Sequence, residues 1–265
     1  NSVGADVIGF KAASNAVNPV SALNGSQKAV MLLNIEPDMD WAGSEAAKQA
    51  LLQAQTVIAL TPFQSESLRE LADVMLPVTP STETSGSFVS MEGRLQSFHG
   101  VVKPYAQSRP MWKVLRVIGN ELDLDGFDYT SSEEVLARAC INSDSIVGKL
   151  NNQVQNVAAT GLQAASALVR VGGVGIYQTD SVVRRSAPLQ ATVHAAIPAA
   201  SVHPKTLAAL QLTDAAQVVV KSGAASVLVT VVADETVAEN VVSLPLHPQN
   251  KVLGAMNNAI ELGRG

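Results

Sequence analysis

The stretch ADVMLPVTPSTETSGSFVSMEGRLQ, Ala72 to Gln96, decides how this chain folds. Within it, Met75–Val78 is a short apolar run closed by Thr79-Pro80, and it reads as a strand. The next segment, Thr79–Gln96, is polar and rich in turn formers. Gly86 and Gly93 flank a short strand-like piece, Ser87–Met91. Glycine admits positive φ and close backbone approach, so this pair predicts an irregular loop. Glu83, Glu92 and Arg94 share the loop. An internal ion-pair network and the rim of an anion pocket are both open to them, and residue type favours the network.

Toward the N-terminus, Leu68, Leu71, Ala72 and Met75 fall at i, i+3, i+4 and i+7 and predict a helix ahead of that strand. TVIAL (Thr56–Leu60) and KAVMLLNI (Lys28–Ile35) are further apolar runs suited to buried parallel strands. Between them, Ser44 is placed to cap a helix running to Ala54. A βαβαβ order implies a parallel sheet with right-handed crossovers. Downstream, Pro110 opens a helix with Met111, Val114, Leu115 and Ile118 on one face. Ser131 and Glu134 form a capping box for another helix. A looser helical stretch, Ile146–Leu168, reads as a connector.

Beyond Gly172 the hydrophobic period becomes two. GIYQ (Gly175–Gln178), LQATVH (Leu189–His194), AQVVVKSG (Ala216–Gly223) and SVLVTVV (Ser226–Val232) read as strands. Val227, Val229 and Val231 mark one apolar face, Lys221-Ser222-Gly223 a turn, and Pro204–Leu210 a short helix after His203. The expectation is an α/β domain over residues 1–170, connector included, and a small β-rich barrel or sandwich over 171–265.

Composition narrows the function. Hydrophobic residues make up 47% of the 265, enough for a real core, and charged residues only 15%. A net charge of −5 with scattered Lys and Arg argues against a nucleic-acid partner. The longest apolar run, near Ala224–Ala233, falls short of the roughly 20 residues a bilayer needs, so no membrane span is expected. The N-terminal NSVGADVIGF has no basic region and does not open on Met, so the chain reads as a fragment or a trimmed piece. The single cysteine, Cys140, forbids an internal disulfide. It cannot by itself hold an iron–sulfur cluster, which takes about four protein ligands.

No catalytic set assembles from the residues alone. The four histidines, His99, His194, His203 and His247, lack metal-ligand spacing. His203-Pro204 and His247-Pro248 read as turn or cap residues. GGVG (Gly172–Gly175) lacks the spacing of a phosphate loop and reads as a domain-entry turn. Cys140, in register with Val135, Leu136 and Ala139, reads as a small core residue, and Asn24-Gly25-Ser26 as a turn. For Arg184-Arg185, a contact with an anion or acidic partner and a solvated strand edge are equally open.

The opening stretch also carries a resemblance. Ala72-Asp73-Val74-Met75-Leu76-Pro77, then Glu83, Gly86-Ser87-Phe88 and Glu92-Gly93-Arg94-Leu95-Gln96, resemble the molybdopterin oxidoreductase family at its own spacing. The family pattern runs A-D-x-x-L-P, then E-x-x-G-[ST]-[FY]-x-N-x-E-G-R-x-Q, and Ser90 stands where it has Asn. Ser201–Gly223 is similar to the family's dinucleotide-binding domain, a double-psi β-barrel. There Asp214-Ala215-Ala216 replaces a frequent Gly-Asp pair. The resemblance implies a parallel-sheet molybdopterin-type domain followed by such a barrel. It makes Ser90, Glu92, Gly93, Arg94 and Gln96 candidates for a vestigial pterin site, with no catalytic or metal-ligating residue.

Within the family, NSVGA (Asn1–Ala5), SSEEVLARA (Ser131–Ala139) and DSVVRRSAPLQAT (Asp180–Thr192) are most similar to the large iron–sulfur subunit of bacterial NADH–quinone oxidoreductase, respiratory complex I. That likeness implies a C-terminal scaffold region without a cofactor of its own, the iron–sulfur clusters lying N-terminal to Asn1. It further implies docking on other peripheral-arm subunits at the cytoplasmic face of the inner membrane, in a complex that passes electrons from NADH to quinone. The alternatives are a fragment of a molybdopterin-dependent oxidoreductase such as formate dehydrogenase, which needs a bound pterin dinucleotide, and a small-anion-binding module.

Overall fold

The computed structural model describes residues 1–10, 27–41, 44–139, 143–149, 167–254 and 256–264. Cys140, the Asn24-Gly25-Ser26 turn and most of the expected connector lie outside the described residues. The chain forms two compact units, one of Asn1–Ile35 with Ala54–Ala159 and the other of Glu36–Gln53 with Thr160–Gly265.

In the first unit β1 (Ala29–Leu33), β2 (Thr56–Thr61) and β3 (Val74–Pro77) form a parallel sheet in the order β1-β2-β3. The central β2 buries Val57, Ala59 and Leu60. β1 is half exposed, with Met31 and Leu33 open to solvent, so it is not the fully buried strand its apolar run suggests. The helix before β3 spans Glu66–Leu71 and is capped by Ser65, whose hydroxyl accepts from the Leu68 N–H. It stops short of Met75. Asp73 ends it, donating its N–H to the Val57 carbonyl at 2.9 Å and accepting the Val57 N–H on its carboxylate at 2.7 Å. Sheet bonds there replace another helical turn, and Met75 joins β3 opposite Ala59.

The expected irregular loop is instead a hairpin of β4 (Gly86–Val89) and β5 (Leu95–Phe98). Its tip is closed by the Ser90 N–H on the Arg94 carbonyl and the Gly93 N–H on the Ser90 carbonyl. The two glycines serve different ends. Gly93 sits at φ 78°, which a side chain resists. A Cβ on Gly86 would lie 3.2 Å from the Phe98 ring, which itself stacks on Phe88. The helix Met111–Glu121 follows Pro110, with Gly119 under the Phe127 ring. Ser131 caps the helix Ser132–Arg138 by accepting the Glu134 N–H at 3.2 Å. The reciprocal bond falls one residue early, the Glu134 carboxylate taking the N–H and hydroxyl of Thr130.

The second unit is a closed barrel of β6 (Leu168–Val171), β7 (Ala200–Val202), β8 (Gln217–Ser222), β9 (Ala225–Ala233), β10 (Val241–Ser243) and β11 (Ala259–Arg264), in the order β10-β6-β11-β8-β9-β7. Val218, Val220, Val229, Val231 and Val242 fill its core, where alternation along each strand sends every second side chain. A tight turn with Gly223 at φ 58° joins β8 to β9, as Lys221-Ser222-Gly223 predicts.

GIYQ and LQATVH are not strands. Pro188, which lacks an N–H for a ladder, sits in the first turn of a helix Ala187–Gln190, and Val193–Ala195 is a 3-10 turn. β6 begins at Leu168, where the sequence reads as the end of a helical connector. At its centre Arg170 is wholly buried. Its guanidinium donates to the Leu244 and Gly254 carbonyls at 3.0 and 3.3 Å and to Asn250 Oδ1 at 2.8 Å. Burial pulls its pKa below the ordinary arginine value, and these acceptors keep the charge tolerable. In the same unit the helix Ser44–Leu52 lies against the 3-10 turn Lys251–Leu253.

Candidate functional site

The motif residues separate along the hairpin. Ser90, Glu92, Gly93 and Arg94 form its tip, with the Ser90 hydroxyl accepting the Arg94 N–H at 3.1 Å, while Gln96 lies on β5 opposite Phe88. Glu83 sits at the far end of β4, where its carboxylate accepts the Tyr105 N–H at 2.8 Å. A four-residue strand spans about 13 Å. The expected network of Glu83, Glu92 and Arg94 is therefore not formed, and no ion pair joins them among the described residues.

A cavity of about 560 Å³ opens at the carboxyl ends of β2 and β3, among Phe63, Pro80, Glu83, Tyr105, Gln107 and Ser108. Crevices there are where open parallel sheets take ligands. Arg109 continues the sheet beyond β3 by pairing with Val78, its carbonyl accepting the Thr79 N–H at 3.1 Å, and so holds the Tyr105–Ser108 wall in place. One feature marks the cavity as more than a gap: Ala106, on its wall, holds φ 49°, a conformation that costs a non-glycine residue energy. Sequence reading missed Tyr105, Gln107 and Ser108. Their one visible signal is the segment between Pro104 and Pro110, too rigid and too polar for a plain connector.

Arg184 and Arg185 are neither a solvated edge nor an anion contact. Arg184, its side chain 6% exposed, reaches Glu36 at 3.2 Å and Asp40 at 2.8 Å, and Arg185 reaches the other oxygen of Glu36 at 2.6 Å. Lys251 and Asp38 pair nearby at 3.0 Å. The cluster fastens Glu36–Gln53 into the second unit. His203 Nδ1 accepts the Lys205 N–H and His247 Nδ1 the Gln249 N–H, so both His-Pro pairs act as caps and turns. Among the described residues no group of three or more His, Cys, Asp or Glu could hold a metal ion, and no helix is long and apolar enough to cross a membrane.

The described residues thus form a parallel α/β unit with a crevice at its carboxyl edge and a closed barrel. Comparison with known proteins adds two domain matches. The family described as Molybdopterin oxidoreductase matches residues 1–121, and the Molydopterin dinucleotide binding domain matches residues 168–262. Two separate parts of the chain are thus similar to a molybdopterin oxidoreductase domain and to a molybdopterin dinucleotide-binding domain. A Staphylococcus aureus protein (strain bovine RF122 / ET3-1) whose name assigns it to the formate dehydrogenases is 38% identical over 65 residues, 24% of this chain and 6% of the relative. The NADPH-Fe(3+) oxidoreductase subunit alpha of Geobacter sulfurreducens is 31% identical over 98 residues, 37% of this chain and 12% of the relative. These matches therefore span a small part of either relative. Acetylene hydratase from Pelobacter acetylenicus shares the fold, with a TM-score of 0.63 at 14% identity over 95% of this chain and 46% of that one.

Proposed function

We propose that this chain is part of a molybdopterin-dependent oxidoreductase of the formate dehydrogenase type. The observation that carries the reading is the crevice at the carboxyl edge of the sheet, inside the region that matches the oxidoreductase family. Its residues fit one end of a pterin dinucleotide. Gln107 and Ser108 offer polar side chains, and Phe63 and Tyr105 offer aromatic ones. Those residues would hold the group. When bound, it supplies metal-centred two-electron chemistry. The contribution of this chain is to bind, orient and exclude water.

One observation favours a second reading, a cofactor-free scaffold in NADH–quinone oxidoreductase. At the barrel turn the Asp214 carboxylate is spent on the Ala233 N–H at 2.8 Å, and Ala215 holds φ 59° where the family often has glycine. On that reading the chain docks on peripheral-arm subunits, and iron–sulfur clusters lie elsewhere in the protein.

The two part on one experiment. The whole protein bearing this chain is purified, denatured in an oxidant and assayed for fluorescent pterin, then tested for formate-dependent dye reduction. About one pterin per chain with formate turnover is expected. A pterin-free protein that co-purifies with NADH–quinone oxidoreductase subunits would overturn the proposal in favour of the scaffold.

A further inference from the structure

A second cavity in the first unit, about 730 Å³, is lined by Lys103, Arg109, Lys113 and His99, with Trp112 and Glu133 among its other walls. It is not the crevice assigned above, and the inference does not rest on that assignment. In a chain of net charge −5, cations from two segments, the loop after β5 and the start of the helix Met111–Glu121, line one space. The loop is built rather than loose. The N–H groups of Val101 and Val102 both donate to the Thr82 carbonyl, and Gly100 packs so close to Glu83 that a Cβ would lie 3.1 Å from its carbonyl carbon.

Of the cavity's two carboxylates, Glu83 accepts the Tyr105 N–H, and Glu133 accepts the Ser132 hydroxyl at 3.2 Å and lies 3.8 Å from the exposed His99. Hydrogen bonds from its own helix start and from Ser131 hold Glu133 below the usual carboxylate range. The indole Nε1 of Trp112 is buried without an acceptor among the described residues. Three permanent cations outnumber the two carboxylates, although Arg109 also donates to the Ser108 carbonyl at 2.8 Å and Lys113 lies 5.2 Å from the Trp112 ring, and this excess of positive charge suits an acceptor-only ligand of multiple charge.

We infer that this cavity binds a phosphate-bearing small molecule, with Lys103, Arg109 and Lys113 facing the phosphate oxygens and Trp112 on the cavity wall.

The probe is inorganic phosphate, added to the 265-residue chain carrying Trp41→Phe so that Trp112 alone fluoresces. Ionic strength is held constant with chloride. A saturable change in Trp112 emission is expected, and Lys103→Glu should weaken it on the order of tenfold without altering thermal unfolding. Lys28→Glu, outside the cavity, should leave it unchanged. A response no different from that of chloride would overturn the inference. So would saturable binding that Lys103→Glu does not weaken, because phosphate would then sit elsewhere.

Discussion

Glu36→Gln is the most exacting test of how the second unit is held together. Glu36 is 5% exposed and receives two guanidinium groups, Arg185 on both carboxylate oxygens and Arg184 on one of them. Removing one partner of a buried pair costs ~3–5 kcal/mol, because the charge left behind has lost its water and its counter-ion. Arg184 keeps Asp40 at 2.8 Å, and Arg185, at 34% exposure, can turn to solvent. Both facts place the cost near the lower end, about 3 kcal/mol. Arg185→Ala removes only the exposed arm and should cost about 1 kcal/mol or less. Converting the buried core of the cluster at once, Glu36→Leu with Arg184→Met, should cost less than Glu36→Gln alone, since no uncompensated buried charge remains. Each unit holds one tryptophan in its described part, Trp41 in the second and Trp112 in the first. Urea unfolding in a Trp112→Phe background, followed by Trp41 emission, therefore reads the second unit. Equal midpoint shifts for Glu36→Gln and Arg185→Ala would refute the view that Glu36 is the buried keystone of the cluster.

Single positions give four further expected outcomes. Ala215→Gly should stabilise the barrel by roughly 0.5–1 kcal/mol in denaturant melts, because relief at φ 59° exceeds the added chain entropy. Gly93→Val should cost about 1–3 kcal/mol through its φ of 78°, and Gly86→Val should also destabilise but through contact with the Phe98 ring, so that Phe98→Ala relieves the second variant and not the first. Gly119→Ala puts a Cβ into the Phe127 ring and should lower first-unit stability by about 1–3 kcal/mol, seen by Trp112 emission. Burial holds the His247 pKa below its ordinary 6.5, so the folded barrel binds this proton less readily than the unfolded chain. Stability is then present above pH 6.5 and lost as pH falls through the lowered value, and His247→Gln should flatten that part of the profile in pH-dependent melts.

Elements whose signals are local were legible along the chain alone. β2, β8 and β9 are apolar runs rich in β-branched residues, Gly223 marks the turn between the last two, and Pro110 and Ser131 mark the starts of two helices, all by local chemistry. The motif around Glu83 and Gly93 pointed to the family for the same reason, since its spacing is written in the chain. The remaining features exist only through long-range contact. β7 and β10 span only Ala200–Val202 and Val241–Ser243, too short for a period, and form because barrel closure gives their backbone groups partners. Arg170 is buried because the Leu244 and Gly254 carbonyls and Asn250 converge on it from across the fold. Arg184-Arg185 could be read on the chain as a solvated pair until Glu36, 148 and 149 positions away, arrived beneath them. The crevice at the sheet's carboxyl edge joins residues from Phe63 to Ser108. No window of sequence contains such a pairing, because it depends on which strand ends the sheet places side by side.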